Sequence, residues 1–452
     1  MKSLRTAFDR RGPALYVLYG RRRLGKTALL QRFAEGLPGV YHMADRSTER
    51  DAIRLLAGSM ALALNEPTLG TAEYAHWYAL FAAFDRFRPR GKTFLILDEF
   101  QYLCEVQPAF SSILQKWWDE NWSHTELMVV LCGSVVSMMY RETLARGSPL
   151  YGRRTGQWLM RPLGFRDAIR FFGGLNARSA VEMWALTGGV PRYGELCSGS
   201  KGFREALRNV VLTRDGPLYA EAKFLLQSEV TVSNVYWSLL HTMGGGATRV
   251  SEIAGRMGLP ANQLTRYLGA LRDMGLISRV LPVTDKNPAK SKKGVYQIVD
   301  PFLHLWFGCV APFESLLEFG RVAEAEKLME NRLASHKSWA FEEICRQYLQ
   351  RRAQEFGVSR VGSYWDRKTQ IDVVGVDEKS YPRVAGECKW SARPIGMAIL
   401  GQLKNKIQKV WPERAGNMRL MVFSGGGFSP GLRAVAESER IVLVDCEKLV
   451  EG

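Results

Sequence analysis

One stretch limits this chain more than any other: "ALYVLYGRRRLGKTALLQRFAEG", where an apolar run passes into an amphipathic one through a turn rich in glycine and arginine. Ala14 to Tyr19 reads as a buried strand, and a helix is expected to begin near Lys26. Between them, Gly20-x-x-x-x-Gly25-Lys26-Thr27 has the Walker A spacing in the strand-to-helix setting that the motif requires. Backbone N–H groups of such a loop and of the helix N-terminus cradle a β-phosphate. Lys26 would reach the β and γ oxygens, and Thr27 would ligate magnesium.

A second apolar run, "TFLILDEF", ends in Asp98-Glu99, the Walker B arrangement. Asp98 is expected to hold the magnesium and Glu99 to polarise the attacking water. A third run, "LMVVLCGS", ends in Ser134, at the carboxyl end of a strand where open α/β sheets bind ligands, which suits a γ-phosphate sensor. Arg153 and Arg154 in "SPLYGRRTGQ" offer a cation for transferring phosphate. In "LTGGVPRY" the glycines end one helix and Pro191 starts the next.

Taken together, "GRRRLGKT", "LILDEF", "LCGS", "PLYGRR" and "GGVPRY" resemble the archaeal-type ATPases of the AAA+/STAND assemblage, over roughly residues 10 to 230. The resemblance implies ATP as the ligand, a helical lid after the core, and Pro191 on the adenine side.

At 452 residues the chain exceeds one hydrophobic core. Its net charge of +17 favours an anionic partner, DNA or a membrane surface. Seven scattered cysteines, none in a CxxC pair, point to neither disulfides nor zinc, and no run of apolar residues is long enough to span a bilayer. A cytoplasmic protein is the expectation.

"TRVSEIAGRMGLPANQLTRYLGALRDMGLISRVLPV" reads as helix, turn and helix, with Ile253 inward on the first and Leu264, Leu268 and Leu271 on one stripe of the second. "LISRVLPV" and "KGVYQIVD" would pair as the wing of a winged helix. Its tip holds Lys286, Lys290, Lys292 and Lys293, suited to phosphate contacts on DNA. The same module also serves other proteins for contact with a protein partner.

Near the C-terminus, "QIDVVGVDEKSYPRVAGECKW" places charges in two neighbouring strands. Period two sends Glu387 and Lys389 to one face. If 376 pairs with 383, Asp372 falls opposite Glu387, and two carboxylates across a ladder repel unless a cation lies between them. That is a metal-site argument. With the upstream helix "SWAFEEICRQYLQRR" and the following "PIGMAILGQLKNKIQKV", the segment resembles the core of the PD-(D/E)xK restriction-endonuclease-like superfamily. The resemblance implies Glu343, Asp372, Glu387 and Lys389 as active-site residues, with Gln402 on the next helix. The carboxylates would hold Mg²⁺ or Mn²⁺, and Lys389 would orient or deprotonate water.

The expected fold class is therefore α/β: a P-loop core at 1–163, a helical lid at 164–230, a winged helix and helical segment at 231–330, and a restriction-endonuclease-like domain at 331–452. Two functions fit this order. One is an ATP-hydrolysing, DNA-associated protein with a metal-dependent nuclease site. The other is a nucleotide-gated switch whose nuclease-like domain binds without cutting.

Overall fold

Strands that lie inside a sheet with helices on both faces read as unbroken apolar runs, and three such runs build the first unit of the chain. The computed structural model describes residues 1–229 and 233–451, so the expected boundary at 230/231 and the final residue lie outside the described residues. Two compact units result, Met1–Arg161 and Pro162–Gly452.

In the first unit, β1 (Ala14–Tyr19), β2 (Gly39–Met43), β3 (Thr93–Asp98), β4 (Leu127–Gly133) and β5 (Gly156–Leu159) form a parallel sheet in the order β2-β3-β4-β1-β5. Alternation divides each strand between two cores. Leu15, Val17, Leu95, Leu97, Val129 and Leu131 pack with Trp77, Phe81 and Phe110, while Tyr16, Leu18, Phe94, Ile96, Met128 and Val130 pack with Phe8 and Phe33. Each such side chain contributes about 1.5–3 kcal/mol by leaving water. β1 then turns into helix α1 (Lys26–Ala34), whose N-cap is Gly25 at φ 84°. Gly20, at φ 152°, admits no side chain because a Cβ there would collide with the carbonyl oxygen of Met160.

The second unit opens with helices that include α2 (Ala177–Thr187), ended by Gly188 in the left-handed region. Helices α3 (Ser233–Gly244), α4 (Val250–Met257) and α5 (Ala261–Asp273) follow, with Ile253, Leu264, Leu268 and Leu271 buried as expected. An antiparallel pair, β6 (Ile277–Val280) and β7 (Val295–Ile298), comes next. Helix α6 (Val322–Arg351) is 30 residues long, so it runs through the boundary expected at 330/331.

A mixed sheet completes this unit: β8 (Arg360–Trp365), β9 (Gln370–Val376), β10 (Pro382–Lys389), β11 (Arg419–Ser424) and β12 (Val442–Val444), in the order β12-β11-β10-β9-β8. Phe341, Ile344 and Tyr348 of α6 pack on Val373, Val384 and Phe423. On the other face, Leu403 and Ile407 of α7 (Met397–Val410) meet Ile371, Val374 and Ala385.

Two irregularities govern which residues meet. Gly362 pairs with Val374 but Tyr364 with Ile371, so β9 carries one extra residue, and Ile371 and Val374 join the same core although strict alternation would separate them. On the other side, Val376 pairs with Pro382 rather than Arg383, and Arg383 is bulged out to Asp377 at 2.9 Å. From Val384↔Gly375 to Gly386↔Val373 the register is the expected one, and the next residues on the two strands are Glu387 and Asp372. Among the described residues no helix is long and apolar enough to cross a membrane.

Candidate active sites

The carboxyl end of the first sheet gathers five of the expected residues, Lys26, Thr27, Asp98, Glu99 and Ser134. Lys26, nearly buried, donates from Nζ to the carbonyl oxygens of Gly20 and Arg21 at 2.7 and 2.9 Å, which closes the loop around its own lysine. Thr27 Oγ1 donates to Asp98 Oδ2 at 2.8 Å, joining the start of α1 to the end of β3. The same oxygen accepts the Tyr41 hydroxyl at 2.7 Å, and Oδ1 accepts the Glu99 N–H at 2.9 Å. Asp98 is fully buried, so these donors satisfy a carboxylate that water does not reach. Burial and then the bond to Asp98 push the Tyr41 phenol upward, which keeps it a donor.

Glu99 is a non-glycine residue in the left-handed region, φ 54°, a conformation that costs on the order of 1 kcal/mol or more and turns its side chain toward β4. Its Oε2 accepts Ser134 Oγ at 2.6 Å and also Gln101 Nε2, and Gln101 Nε2 lies 3.3 Å from Ser134 Oγ. Glu99 and Ser134 are thus brought together. Thr27 and Asp98 present a hydroxyl and a carboxylate, hard oxygen donors that fit magnesium.

Arg153 is placed otherwise. Its Nε and Nη2 each lie 2.8 Å from the Asp119 carboxylate, and Nη1 donates to the Pro149 carbonyl at 2.8 Å. Its neighbour Arg154 donates from Nη1 to the Leu144 carbonyl at 3.4 Å and lies over the Tyr151 ring at 5.6 Å, and its charge opposes the rise that burial gives the Tyr19 phenol at the end of β1. Pro191, the first residue of the helix Pro191–Cys197, belongs to the second unit and follows Gly188 and Gly189 as expected.

At the C-terminal sheet, Asp372 and Glu387 are both nearly buried. Asp372 Oδ2 accepts the Cys388 N–H at 3.0 Å, and Oδ1 lies 3.4 Å from Gln370 Nε2. Glu387 takes Lys406 Nζ on its two oxygens at 2.8 and 2.7 Å and Lys389 Nζ at 3.4 Å. Glu387 and Lys389 do share a face. The cation beside Glu387 is Lys406, however, one turn beyond the expected Gln402, which is exposed.

Helix α6 brings two adjacent glutamates toward this sheet. Glu343 is engaged with Arg346 Nε at 3.1 Å and Gln347 Nε2 at 3.3 Å. At its neighbour Glu342, burial first, then the Asp372 charge, push the carboxyl up to about 7. Arg346 connects the two, with Nη1 3.6 Å from Glu342 Oε2 and 3.2 Å from the Asp372 carbonyl oxygen. Among the described residues no group of three or more His, Cys, Asp or Glu converges to hold a metal ion. The donor chemistry at Asp372 and Glu387 suits Mg²⁺ or Mn²⁺, but Lys406 holds the Glu387 oxygens in this arrangement.

The loop between β6 and β7 meets the C-terminal sheet through Val283, whose N–H donates to the Ser363 carbonyl at 2.9 Å. Lys286 Nζ lies 5.1 Å from the centre of the Tyr381 ring, while Lys290, Lys292 and Lys293 are exposed.

Residues 1–195 match the family described as an ATPase domain predominantly from Archaea. Residues 306–407 match a family of archaeal and bacterial proteins of unknown function. An uncharacterized protein of Methanocaldococcus jannaschii is 28% identical over 396 residues, 86% of each chain. Among solved structures, the Walker-type ATPase of Pyrococcus abyssi resembles this chain with a TM-score of 0.52 at 20% identity, over 68% of this chain and 93% of that one. The chain is thus similar to an archaeal-type ATPase domain over residues 1–195 and to the second family over residues 306–407, and the ATPase match supports ATP hydrolysis.

Proposed function

We propose that this chain is a magnesium-dependent ATPase that works on DNA in the cytoplasm and carries a metal-dependent nuclease site in its C-terminal sheet. The observation that carries the first part is the Thr27 hydroxyl on the Asp98 carboxylate at 2.8 Å, a hydroxyl and an acid held together at the mouth of a loop with the phosphate-binding spacing. Gly20 and Gly25 let the loop backbone approach the phosphates of ATP, and Lys26 turns from its carbonyls to the β and γ oxygens. Thr27 and Asp98 would hold Mg²⁺, which supplies charge neutralisation on the same oxygens. Glu99 orients the attacking water, and Ser134 reads the γ-phosphate. Arg153 is engaged with Asp119, so Arg154 is the arginine we assign to answer the transferring charge.

The nuclease part rests on Asp372 and Glu387 standing next in register at the open end of the β9–β10 ladder, with Lys389 beside Glu387. Those carboxylates, with Glu342 in the role first given to Glu343, would hold Mg²⁺ or Mn²⁺, and Lys389 would handle the water proton. Helices α4 and α5 with the β6–β7 pair serve as a winged helix, its lysine tip on DNA phosphates. A second reading, the nucleotide-gated switch that binds DNA or a protein partner without cutting, is favoured by the Lys406–Glu387 ion pair, which satisfies Glu387 without metal.

Nicking of supercoiled plasmid with Mg²⁺ or Mn²⁺, with and without ATP, decides between them. Cleavage by the wild type that Asp372→Ala abolishes supports the nuclease. An intact plasmid under every condition leaves the switch.

A further inference from the structure

Within residues 162–452 a cleft of about 740 Å³ opens between the β6–β7 pair on one side and α6 with β8 on the other. Glu342, Arg346 and Gln370 line it, and Arg346 and Gln370 both bond Asp372, so the cleft leads to the candidate nuclease carboxylates. Its volume lies in the range of pockets that enclose small ligands, about 300–1,000 Å³. It has room for one or two nucleotides and none for a duplex, whose major groove alone is about 12 Å wide.

The lining suits a nucleotide strand. Trp339 and Trp365, both half-buried, form part of the wall, with Val295 and Val299 of the β7 segment also in the lining. His304 lies flat on one side of Trp339, ring centres 4.0 Å apart at 2°, which fixes that indole as a platform. Trp365 is half-buried, lines the cleft and makes no contact with another aromatic ring or a cation among the described residues, which leaves its cleft-facing part for a base. Stacking on an indole accepts every base, whereas a protein segment would ask for specific pockets. Gln297, Gln350 and Gln370 add amides that pair with base edges, and the exposed Lys368 adds a cation for a phosphate, while Arg346 stays engaged with Glu342, Glu343 and the Asp372 carbonyl.

We propose that this cleft binds one extended strand of single-stranded DNA and leads it past Asp372 and Glu387. The inference rests on the nuclease reading for its purpose, and not for its test. Duplex DNA is left to the exposed lysines at the tip of the β6–β7 pair.

The test uses the full chain in EDTA, where nothing is cut, and a short fluorescein-labelled oligothymidylate followed by anisotropy, with a duplex of equal length as competitor. Trp365→Ala is expected to weaken strand binding roughly tenfold, Trp365→Phe to restore most of it, and duplex binding to stay unchanged in both. Thermal melts of both variants show that the fold is kept. Unaltered strand binding by Trp365→Ala, or displacement of the strand by an equal concentration of duplex, overturns the proposal. The plasmid assay reports separately: strand binding that depends on Trp365 without nicking removes the nuclease and keeps the cleft, while nicking with strand binding indifferent to Trp365 removes the cleft and keeps the nuclease.

Discussion

Replacing Lys406 with Met tests the charge arrangement of the C-terminal sheet most directly. Lys406 Nζ lies 2.7 and 2.8 Å from the two oxygens of Glu387, whose side chain is 4% exposed, while Lys389 is farther, at 3.4 Å, and more open to water. Two unit charges at that closer distance attract by about 6 kcal/mol at an effective dielectric near 20. Desolvation of the lysine offsets part of this, but removing one partner of a buried pair strands the other, at a cost of about 3–5 kcal/mol. Lys406 keeps 29% of its side chain exposed and Lys389 remains, so a loss of roughly 2–3 kcal/mol is expected for Lys406→Met. That corresponds to a fall in melting temperature of roughly 3–5 °C for a unit of this size, measured in EDTA by calorimetry. The same substitution removes the cation that competes with metal for Glu387. Titration with Mn²⁺ is therefore expected to show tighter binding in Lys406→Met than in the wild type and to return part of the lost stability. A variant that melts with the wild type in EDTA, or that binds Mn²⁺ more weakly, refutes this account of Glu387.

At the first sheet, Lys26→Ala is expected to weaken ATP binding, whereas Glu99→Gln keeps binding and lowers turnover by about 10²–10⁴-fold, the usual worth of a positioned proton acceptor. Equal turnover in wild type and both variants would remove the loop from the mechanism. Neutralising Lys290, Lys292 and Lys293 together is expected to flatten the plot of log K for duplex DNA against log salt by about one unit for each phosphate no longer neutralised, and an unchanged slope takes the tip off the DNA. The stacked pair His304 and His336 predicts acid sensitivity. Burial lowers them to about 4 and about 3, with the His304 and Lys337 charges adding at His336 against its bond to the Ala185 carbonyl. Their folded values lie below the unfolded one near 6.5, so the stability they contribute is full above that pH and is lost as pH falls toward 4. Between pH 6.5 and 5 the loss is about 1.5 kcal/mol for a histidine of this kind. Urea unfolding across that window measures it, and a flat profile contradicts the buried neutral pair.

The expected bounds of β1 and the start of α1 agree with the structure because an apolar run closed by glycine leaves few choices of length. The order of elements after Thr248 was readable for the same reason. Irregularity was not. Nothing in "QIDVVGV" marks the extra residue of β9, since a bulge keeps the composition and changes only the parity. In "FEE" two adjacent glutamates point about 100° apart on a helix, and the pattern alone does not say which of them faces Asp372. Lys406 sits one turn along from Gln402 beside the buried Leu403 and Ile407, a position at the edge of an apolar stripe where an inward-turned lysine could have been suspected. Tyr41 belongs to no motif at all. It reaches Asp98 because β2 lies beside β3, and strand order is a property of the whole sheet.

β8 is the outermost strand of its sheet, and along it the chain segment after β6 is tied by the Val283 N–H to the Ser363 carbonyl, with Val283 packed against Gly362. An open strand edge invites pairing with another chain, and natural sheets cover it. A fragment cut at residue 331 would lose Val283 and present β8 uncovered to its neighbours in solution. Solubility of the C-terminal sheet is therefore borrowed from residues nearly eighty positions upstream, and a fragment meant to carry it alone should begin before β6.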